Sequence, residues 1–248
     1  MTVTCIHIPI PAPVLCPPEP MALDARLSAA FEFIRGGTMA DVGTDHAYLP
    51  IALLRRRLVD FAVATDIHRG PAEVAAAHLA ANGIGEHRAA VLLTDGLHGA
   101  KDYHPTDICI FGMGGEMIAH IIDEAPWTKD PSIRLILQPM TKQEALRQYL
   151  DQNGFRIVAE RLVVTDRIYQ LLCAEYDGNI RSHSPLELMI GKENLDRRDE
   201  LTMTLVNRHI DILTATREGK RKAVNPDTSR EDELLHALNN YLEQSKEV

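Results

Sequence analysis

No two cysteines stand close enough to form a CxxC unit; the four, Cys5, Cys16, Cys109 and Cys173, are scattered along the chain. That spacing excludes a zinc knuckle and a disulfide framework, and it suits reduced thiols in a cytoplasmic protein. Cys109 and Cys173 lie in apolar runs, where a free thiol packs as a small hydrophobe. Long apolar runs are missing as well. Prolines interrupt every apolar stretch of "MTVTCIHIPIPAPVLCPPEP" at the start, which matches neither a secretory signal nor a membrane span. Positive charge is in deficit: 26 Lys and Arg against 35 Asp and Glu give a net charge of -9. Any nucleic-acid contact must therefore use a local basic patch on an acidic body. Neither G-x-G-x-x-G nor G-x-x-x-x-G-K-[ST] occurs, which excludes the usual pyrophosphate cradle and the P-loop.

What is present is an ordinary core-forming composition, 45% hydrophobic and 25% charged over 248 residues. Residues 1–22 are expected to be a flexible, proline-stiffened tail. "LDARLSAAFEFI" places Leu23, Leu27, Ala30, Phe31 and Ile34 at helical spacing, and Gly36-Gly37 ends the segment. Strand-like and helix-like runs then alternate: "TMADV" into "YLPIALLRRRL", "FAVATDI" into "GPAEVAAAHLAANG", "AAVLLTDGL", "TDICIFG" into "GEMIAHIIDEA", and "IRLILQPM" into "TKQEALRQYLDQNG". This rhythm implies an α/β, doubly wound, mostly parallel sheet. "FRIVAERLVVTDRIYQLLCAEY" breaks it, because two strand runs with a tight turn near Thr165-Asp166-Arg167 leave no room for a helix. A terminal hairpin with an antiparallel strand is expected. The catalytic-type sheet domain is assigned to residues 23–180. Residues 181–248 are read as a linker, "IRSHSPLE", and a helical hairpin, with Thr228 and Glu231 at capping-box spacing.

Ligands of such sheets bind at the carboxyl ends of the strands. Here those ends carry Asp41-Val42-Gly43, Asp66-Ile67, Asp95-Gly96, Gly112-Met113-Gly114 and Gln138-Pro139. Asp66 falls roughly 20 residues after the glycine loop, the spacing of a carboxylate that holds ribose hydroxyls. The ligand is thus a nucleoside. A pyrophosphate next to Asp41 or Asp45 would be repelled by about 4 kcal/mol at roughly 4 Å. S-adenosylmethionine is a nucleoside without phosphate whose ammonium and sulfonium are cationic, and it suits the acidic loop. Asp41 either touches that ligand or only orients loop amides.

At these residues the chain resembles a class I S-adenosylmethionine-dependent methyltransferase. More narrowly, "ADVGTDHAYLP", "GMGGEMI" and "LILQP" are similar to the bacterial tRNA (adenine(22)-N1)-methyltransferase family, from about Leu23 to Tyr176. The resemblance implies a Rossmann-like fold with a C-terminal coiled-coil-like appendage, S-adenosylmethionine as cofactor, and tRNA as substrate. It implies that Gly43 and its neighbours Asp41, Thr44 and His46 cradle the methionine part, and that Asp66 and Ile67 hold the ribose. Asp95 and Gly96 would lie by the adenine, and Gly112, Met113 and Gly114 would wall the pocket under the sulfonium. Arg26 would pair with the cofactor carboxylate.

Adenine N1 has its own lone pair, so methyl transfer requires in-line geometry at about 3 Å and no prior deprotonation. Asp45 and Gln138 are the candidates to stabilise the cationic product base, with Pro139 setting the turn of Gln138. Tyr48 either stacks the flipped base or packs as a helix-start residue. Arg55 and Arg56, together with Arg217, Lys220, Arg221 and Lys222, are the candidate RNA contacts. No metal site is expected, and the chain is read as a cytoplasmic monomer without membrane attachment. The competing readings are a methyltransferase acting on a small molecule or protein, and a silent nucleoside- or RNA-binding module.

Overall fold

A computed structural model describes residues 5–13, 23–224 and 226–245. The chain divides into two compact units, residues 1–181 and 182–248.

The first unit is built on eight strands: β1 (Ile6–Ile8), β2 (Thr38–Val42), β3 (Phe61–Asp66), β4 (Ala89–Leu93), β5 (Asp107–Gly114), β6 (Arg134–Thr141), β7 (Phe155–Val164) and β8 (Ile168–Tyr176). They form one sheet in the order β1-β4-β3-β2-β5-β6-β8-β7. Strands β2 to β6 run parallel, whereas β1 and β8 are antiparallel to their neighbours. From β2 the chain winds outward through β3 to β4, then crosses back to place β5 on the other side of β2. The crevice between the carboxyl ends of β2 and β5 is therefore the topological switch point.

The helices of this unit are α1 (Ala25–Ala29), α2 (Tyr48–Arg55), α3 (Arg69–Ala81), α4 (Gly115–Asp123) and α5 (Gln143–Gln152). They cover both faces of the sheet, so the central strands alternate between two apolar layers rather than between core and water. Met39, Ala62, Ala64 and Cys109 pack with Leu53 and Leu79 on one face. Their strand neighbours Ala40, Val63, Ile108 and Ile110 pack with Ile118 and Leu135 on the other. Each fully buried Leu or Ile contributes about 1.5–3 kcal/mol relative to exposure. The terminal hairpin β7–β8 is tied to α5 by a buried ion pair, with Arg147 Nη2 2.5 Å from Glu160 and 2.6 Å from Gln170 Oε1.

Four local expectations are corrected. Residues 6–8 of the supposed tail form β1, whose Ile6 and Ile8 stand opposite Leu93 and Val91. Ile8 and Ile10 are buried, so this segment closes the β4 edge of the sheet, the side left open by the parallel winding. The rest of the tail call, residues 1–4 and 14–22, lies outside the described residues. The expected helix after Leu23 is a short α1 followed by a 3-10 turn, Ala30–Glu32.

The other two corrections fall in the second unit, where two short helices, α6 (Pro185–Ile190) and α7 (Lys192–Arg197), precede the expected hairpin of α8 (Glu200–Lys220) and α9 (Ser229–Gln244). Part of the supposed linker is thus α6. The capping box forms at Ser184 and Glu187 instead of Thr228 and Glu231. Thr228 turns its hydroxyl to Asp232, while Glu231 receives Lys220. Leu205, Val206, Leu234, Leu238 and Tyr241 are buried in this unit. No helix among the described residues is long and apolar enough to cross a membrane.

Candidate active site

The loop after β2 is held in a conformation that its side chains do not choose by themselves. Asp45 and Ala47 both have positive φ, 51° and 55°, next to Gly43 at 69°. Non-glycine residues in that region cost about 1–3 kcal/mol each and persist where the surroundings over-determine them. Here the amides of Gly43 and Thr44 donate to Thr65 O at 2.9 and 3.0 Å, and Asp45 N donates to Asp66 Oδ2 at 3.3 Å. The other Asp66 oxygen accepts from His68 N at 2.8 Å, so one carboxylate ties the β2 loop to the start of α3. Gly43, at φ 69°, is in the left-handed region that favours glycine, and a Cβ there would lie 2.4 Å from Met113 Cε, so the tip of Met113 packs against its bare backbone.

A cavity of about 360 Å³ opens at this switch point. Asp41, Gly43, Thr44 and Asp45 form one wall, Phe111, Gly112 and Gln138 a second, and Arg26, Leu27, Tyr48 and Leu49 border it further out. Gly112 has φ 78°, and a Cβ there would meet no protein atom within 4 Å, which opens that wall for close backbone approach. Gln138 is buried, its amide contacting only the sulfur of Met140 at 3.7 Å. Asp41 is buried and accepts from Thr44 Oγ1 at 2.7 Å. Burial pushes the Asp41 carboxyl up to about 7; the Thr44 hydroxyl opposes that rise, and the Asp66 carboxylate adds to it. Asp45 is the exposed carboxylate of the loop, with His46 Nε2 3.5 Å away.

These contacts gather Arg26, Asp41, Gly43, Thr44, Asp45, Tyr48, Gly112 and Gln138 around one cavity. Arg26 reaches it already engaged, because Asp24 Oδ2 holds its Nη2 at 2.7 Å and the guanidinium stacks 4.8 Å from the Tyr169 ring. Asp24 takes Nε and Nη2, while Nη1 makes a 3.7 Å contact with the sulfur of Met140 and can meet a further carboxylate. Met113 touches the cavity loop from the side, Gly114 starts α4, and Pro139 is buried opposite Met113 in β6. Ile67 is 57% exposed next to Asp66. Asp95 and Gly96 wall a second cavity, also about 360 Å³, together with Ile121, Glu124 and Trp127 along α4. Thr65 Oγ1 donates to Gly96 O at 2.8 Å and so joins that strand end to β3.

The basic residues are not gathered here. Arg55 and Arg56 end α2, and Tyr48, which borders the cavity, begins it, an offset of about 10–12 Å along the helix. Arg56 is spent over the Phe31 ring at 4.6 Å. In the second unit, Lys220 binds Glu231 at 2.8 Å, and Arg217 and Arg221 face Asp232 at 3.2 and 3.9 Å. Lys222 is exposed and stands outside these pairs. Among the described residues no group of three His, Cys, Asp or Glu is placed to hold a metal ion. Sequence reasoning missed Phe111, Asp24 and His78. Phe111 directly precedes Gly112 at a strand end, and Asp24 occupies the N-cap of α1. His78 had no signal, since it meets His46 only through folding.

A doubly wound sheet with an acidic, phosphate-excluding loop at its switch point and a ribose-spaced carboxylate defines a Rossmann-like methyltransferase. The donor chemistry fits S-adenosylmethionine, because the cavity pairs carboxylates with a cationic ligand and leaves glycine backbone for close approach. Residues 23–172 match the family model described as a methyltransferase domain. Over 173 residues the chain is 32% identical to the tRNA (adenine(22)-N(1))-methyltransferase of Bacillus subtilis, covering 69% of this chain and 72% of that protein. The chain belongs to the tRNA (adenine(22)-N1)-methyltransferase family.

Solved structures agree in fold. A Streptococcus agalactiae protein of the NADB-Rossmann superfamily superposes with a TM-score of 0.82 at 26% identity, covering 90% of this chain and 99% of that one. A candidate tRNA (m1A22) methyltransferase of Streptococcus pneumoniae, in complex with S-adenosyl-L-methionine, gives 0.78 at 27% identity over 89% of this chain and 100% of that one. The B. subtilis m1A22 tRNA methyltransferase gives 0.75 at 27% identity over 91% and 98%.

Proposed function

We infer that the chain transfers a methyl group from S-adenosylmethionine to N1 of an adenine in tRNA, adenine 22 of the D arm. The observation that carries this reading is the acidic cavity at the switch point in a chain of this family. The cofactor supplies an electrophilic methyl group; the chain supplies geometry and charge. Asp41, Gly43 and Thr44 are read as the cradle of its methionine end, with His46 beside them, and Asp66 with Ile67 as the ribose contact. Asp95 and Gly96 are assigned to its adenine, and Gly112, Met113 and Gly114 to the wall beneath the sulfonium. Arg26 is assigned to the cofactor carboxylate through Nη1, with Asp24 holding Nε and Nη2.

The incoming base would meet Gln138, whose buried amide has only a weak sulfur contact to lose and can read an adenine edge. Pro139 does not set the turn expected from sequence; it lies within β6 opposite Met113 and fixes the backbone next to Gln138. N1 attacks with its own lone pair, so no residue needs to remove a proton first. The ring then carries positive charge, which the exposed Asp45 at the cavity mouth would stabilise. The tRNA backbone is assigned to the basic residues, chiefly Lys222 and Arg221, with Arg55, Arg56, Arg217 and Lys220 as further contacts. This reading places a monomer in the cytoplasm. Labelled-methyl transfer to tRNA lacking modifications, followed by nucleoside analysis, tests it: N1-methyladenosine is expected, and its absence, or methylation of small molecules alone, would overturn the reading.

A further inference from the structure

Three aromatic rings meet beside the acid-loop cavity, and only one of them borders it. His46 lies 5.3 Å from Tyr48, with planes 20° apart, and 5.3 Å from His78, with planes 28° apart. Tyr48 and His78 are 6.0 Å apart at 39°. Two of the rings come from the β2–α2 region, and His78 comes from α3. His78 Nδ1 also lies 3.2 Å from the His46 carbonyl, so α3 grips both the backbone and the ring of the loop residue. Tyr48 is 40% exposed and lines the cavity with Gln138.

A tyrosine that served only as packing would bury its ring. This one leaves much of it at the cavity rim and is braced by the near-parallel His46 imidazole, itself backed by His78. Bracing matters for stacking, since a ring already fixed in its plane loses little freedom when a base arrives. The purine face is what such a surface accepts: nucleobases drawn out of an RNA helix are held on aromatic side chains while their edges are read by hydrogen bonds. Gln138, on the facing wall of the same cavity, offers that edge contact.

We propose that the His46–Tyr48–His78 cluster is the stacking platform for the extruded target adenine, with Tyr48 touching the base and His46 and His78 acting as positioning residues. This rests on the reading that the chain methylates an adenine in tRNA. His78 is the informative member, because it stands outside the cavity lining and reaches the site through His46 and Tyr48, so its loss tests whether the bracing of Tyr48 matters to base recognition. The three rings belong to one cooperative unit, so loss of either outer ring should show the same signature.

The test is a cycle between protein and RNA. Binding to the product-loaded enzyme is measured for a tRNA transcript with adenine at the target position and for one abasic there. The wild type should lose about 5- to 150-fold in affinity with the abasic transcript, the range of one base–aromatic stack. In Tyr48→Leu and His78→Ala that penalty should shrink towards onefold, while His78→Phe should restore it. Calorimetric affinity for S-adenosylmethionine and the melting temperature identify variants that have merely lost their fold, and His78→Phe keeps the test open if His78→Ala is among them. An undiminished abasic penalty in folded Tyr48→Leu and His78→Ala would overturn the proposal, as would no penalty in the wild type. Failure of the wild type to form N1-methyladenosine in tRNA would instead overturn the functional reading beneath it.

Discussion

The carboxylate of Asp66 holds the backbone amide of Asp45 at 3.3 Å, so the residue that ends β3 also shapes the loop that follows β2. The same carboxylate holds His68 N at 2.8 Å. The side chain proposed to hold the ribose is therefore also a loop clamp. Asp66→Ala should weaken S-adenosylmethionine binding by about 1.5–3 kcal/mol, the worth of hydrogen bonds to a charged group. Calorimetry checks it, and unchanged affinity would remove Asp66 from the cofactor site.

Gly112 separates two effects of substitution. Its φ of 78° strains any side chain, yet a Cβ there meets no protein atom. Gly112→Val should thus fold, with a stability loss of about 1–3 kcal/mol, while abolishing methyl transfer. Gly43→Ala, at φ 69°, carries the same backbone strain of about 1–3 kcal/mol and also pushes the flexible end of Met113 aside, since its Cβ would lie 2.4 Å from Met113 Cε. Denaturation curves paired with single-turnover rates distinguish the two. Activity surviving Gly112→Val would place the pocket elsewhere.

Asp41 links the site to pH. Its carboxyl stands at about 7 in the ligand-free fold against an ordinary value of 3.8. A folded pKa raised in this way stabilises the protein fully below pH 4 or so, and that contribution is lost as pH rises through about 7. A cation in the cavity favours the ionised form, so binding below about pH 7 must expel a proton. S-adenosylmethionine affinity should rise from pH 6 to pH 8, and calorimetry in buffers of different ionisation enthalpy should register the released proton. Asp41→Asn should abolish both the pH dependence and the proton release. A flat affinity profile in the wild type would contradict this account.

The helical unit offers less free positive charge than its sequence suggests. Lys220 is paired to Glu231, which is only 5% exposed, so Lys220→Ala should destabilise this unit by leaving a nearly buried carboxylate unmatched. Lys222 stands outside the pairs and is the cleaner probe of tRNA contact. Lys222→Ala should lower the slope of log K against log[salt] by about 0.7–0.9 for tRNA, the effect of one phosphate contact, with S-adenosylmethionine affinity unchanged. Filter binding across a salt series measures it. An unaltered slope would remove Lys222 from the tRNA surface.

Much of the molecule was legible because the signals are local. The alternation of apolar runs with glycine or aspartate at their ends, as in Met39–Gly43 and Ile108–Gly112, marks strands that stop where a ligand binds. The chemistry of the ligand was legible as well, since acidic residues on both sides of Gly43 disfavour a phosphate and favour a cation. The terminal hairpin followed from chain length alone: between Val164 and Ile168 there is no room for a helix.

Other features depend on which segments become neighbours, and no periodicity encodes that. The segment Ile6–Ile8 is a strand because the edge of β4 needs a partner, although prolines surround it in sequence. Asp41 has its carboxyl raised to about 7 because strands on both sides bury it, while Asp45, four residues on, remains in water. His78 joins the site across 32 residues. The basic cluster at Arg217–Arg221 is largely matched by Glu231 and Asp232, since the turn between α8 and α9 folds acid onto base. Sequence by itself determined the elements, the strand ends and the sign of the ligand's charge, because these follow from residue type and near spacing. Tertiary structure decided which carboxylate is buried, which cations are spent and which rings share a surface, because burial and pairing depend on strand order and helix packing that bring distant residues within a few ångströms.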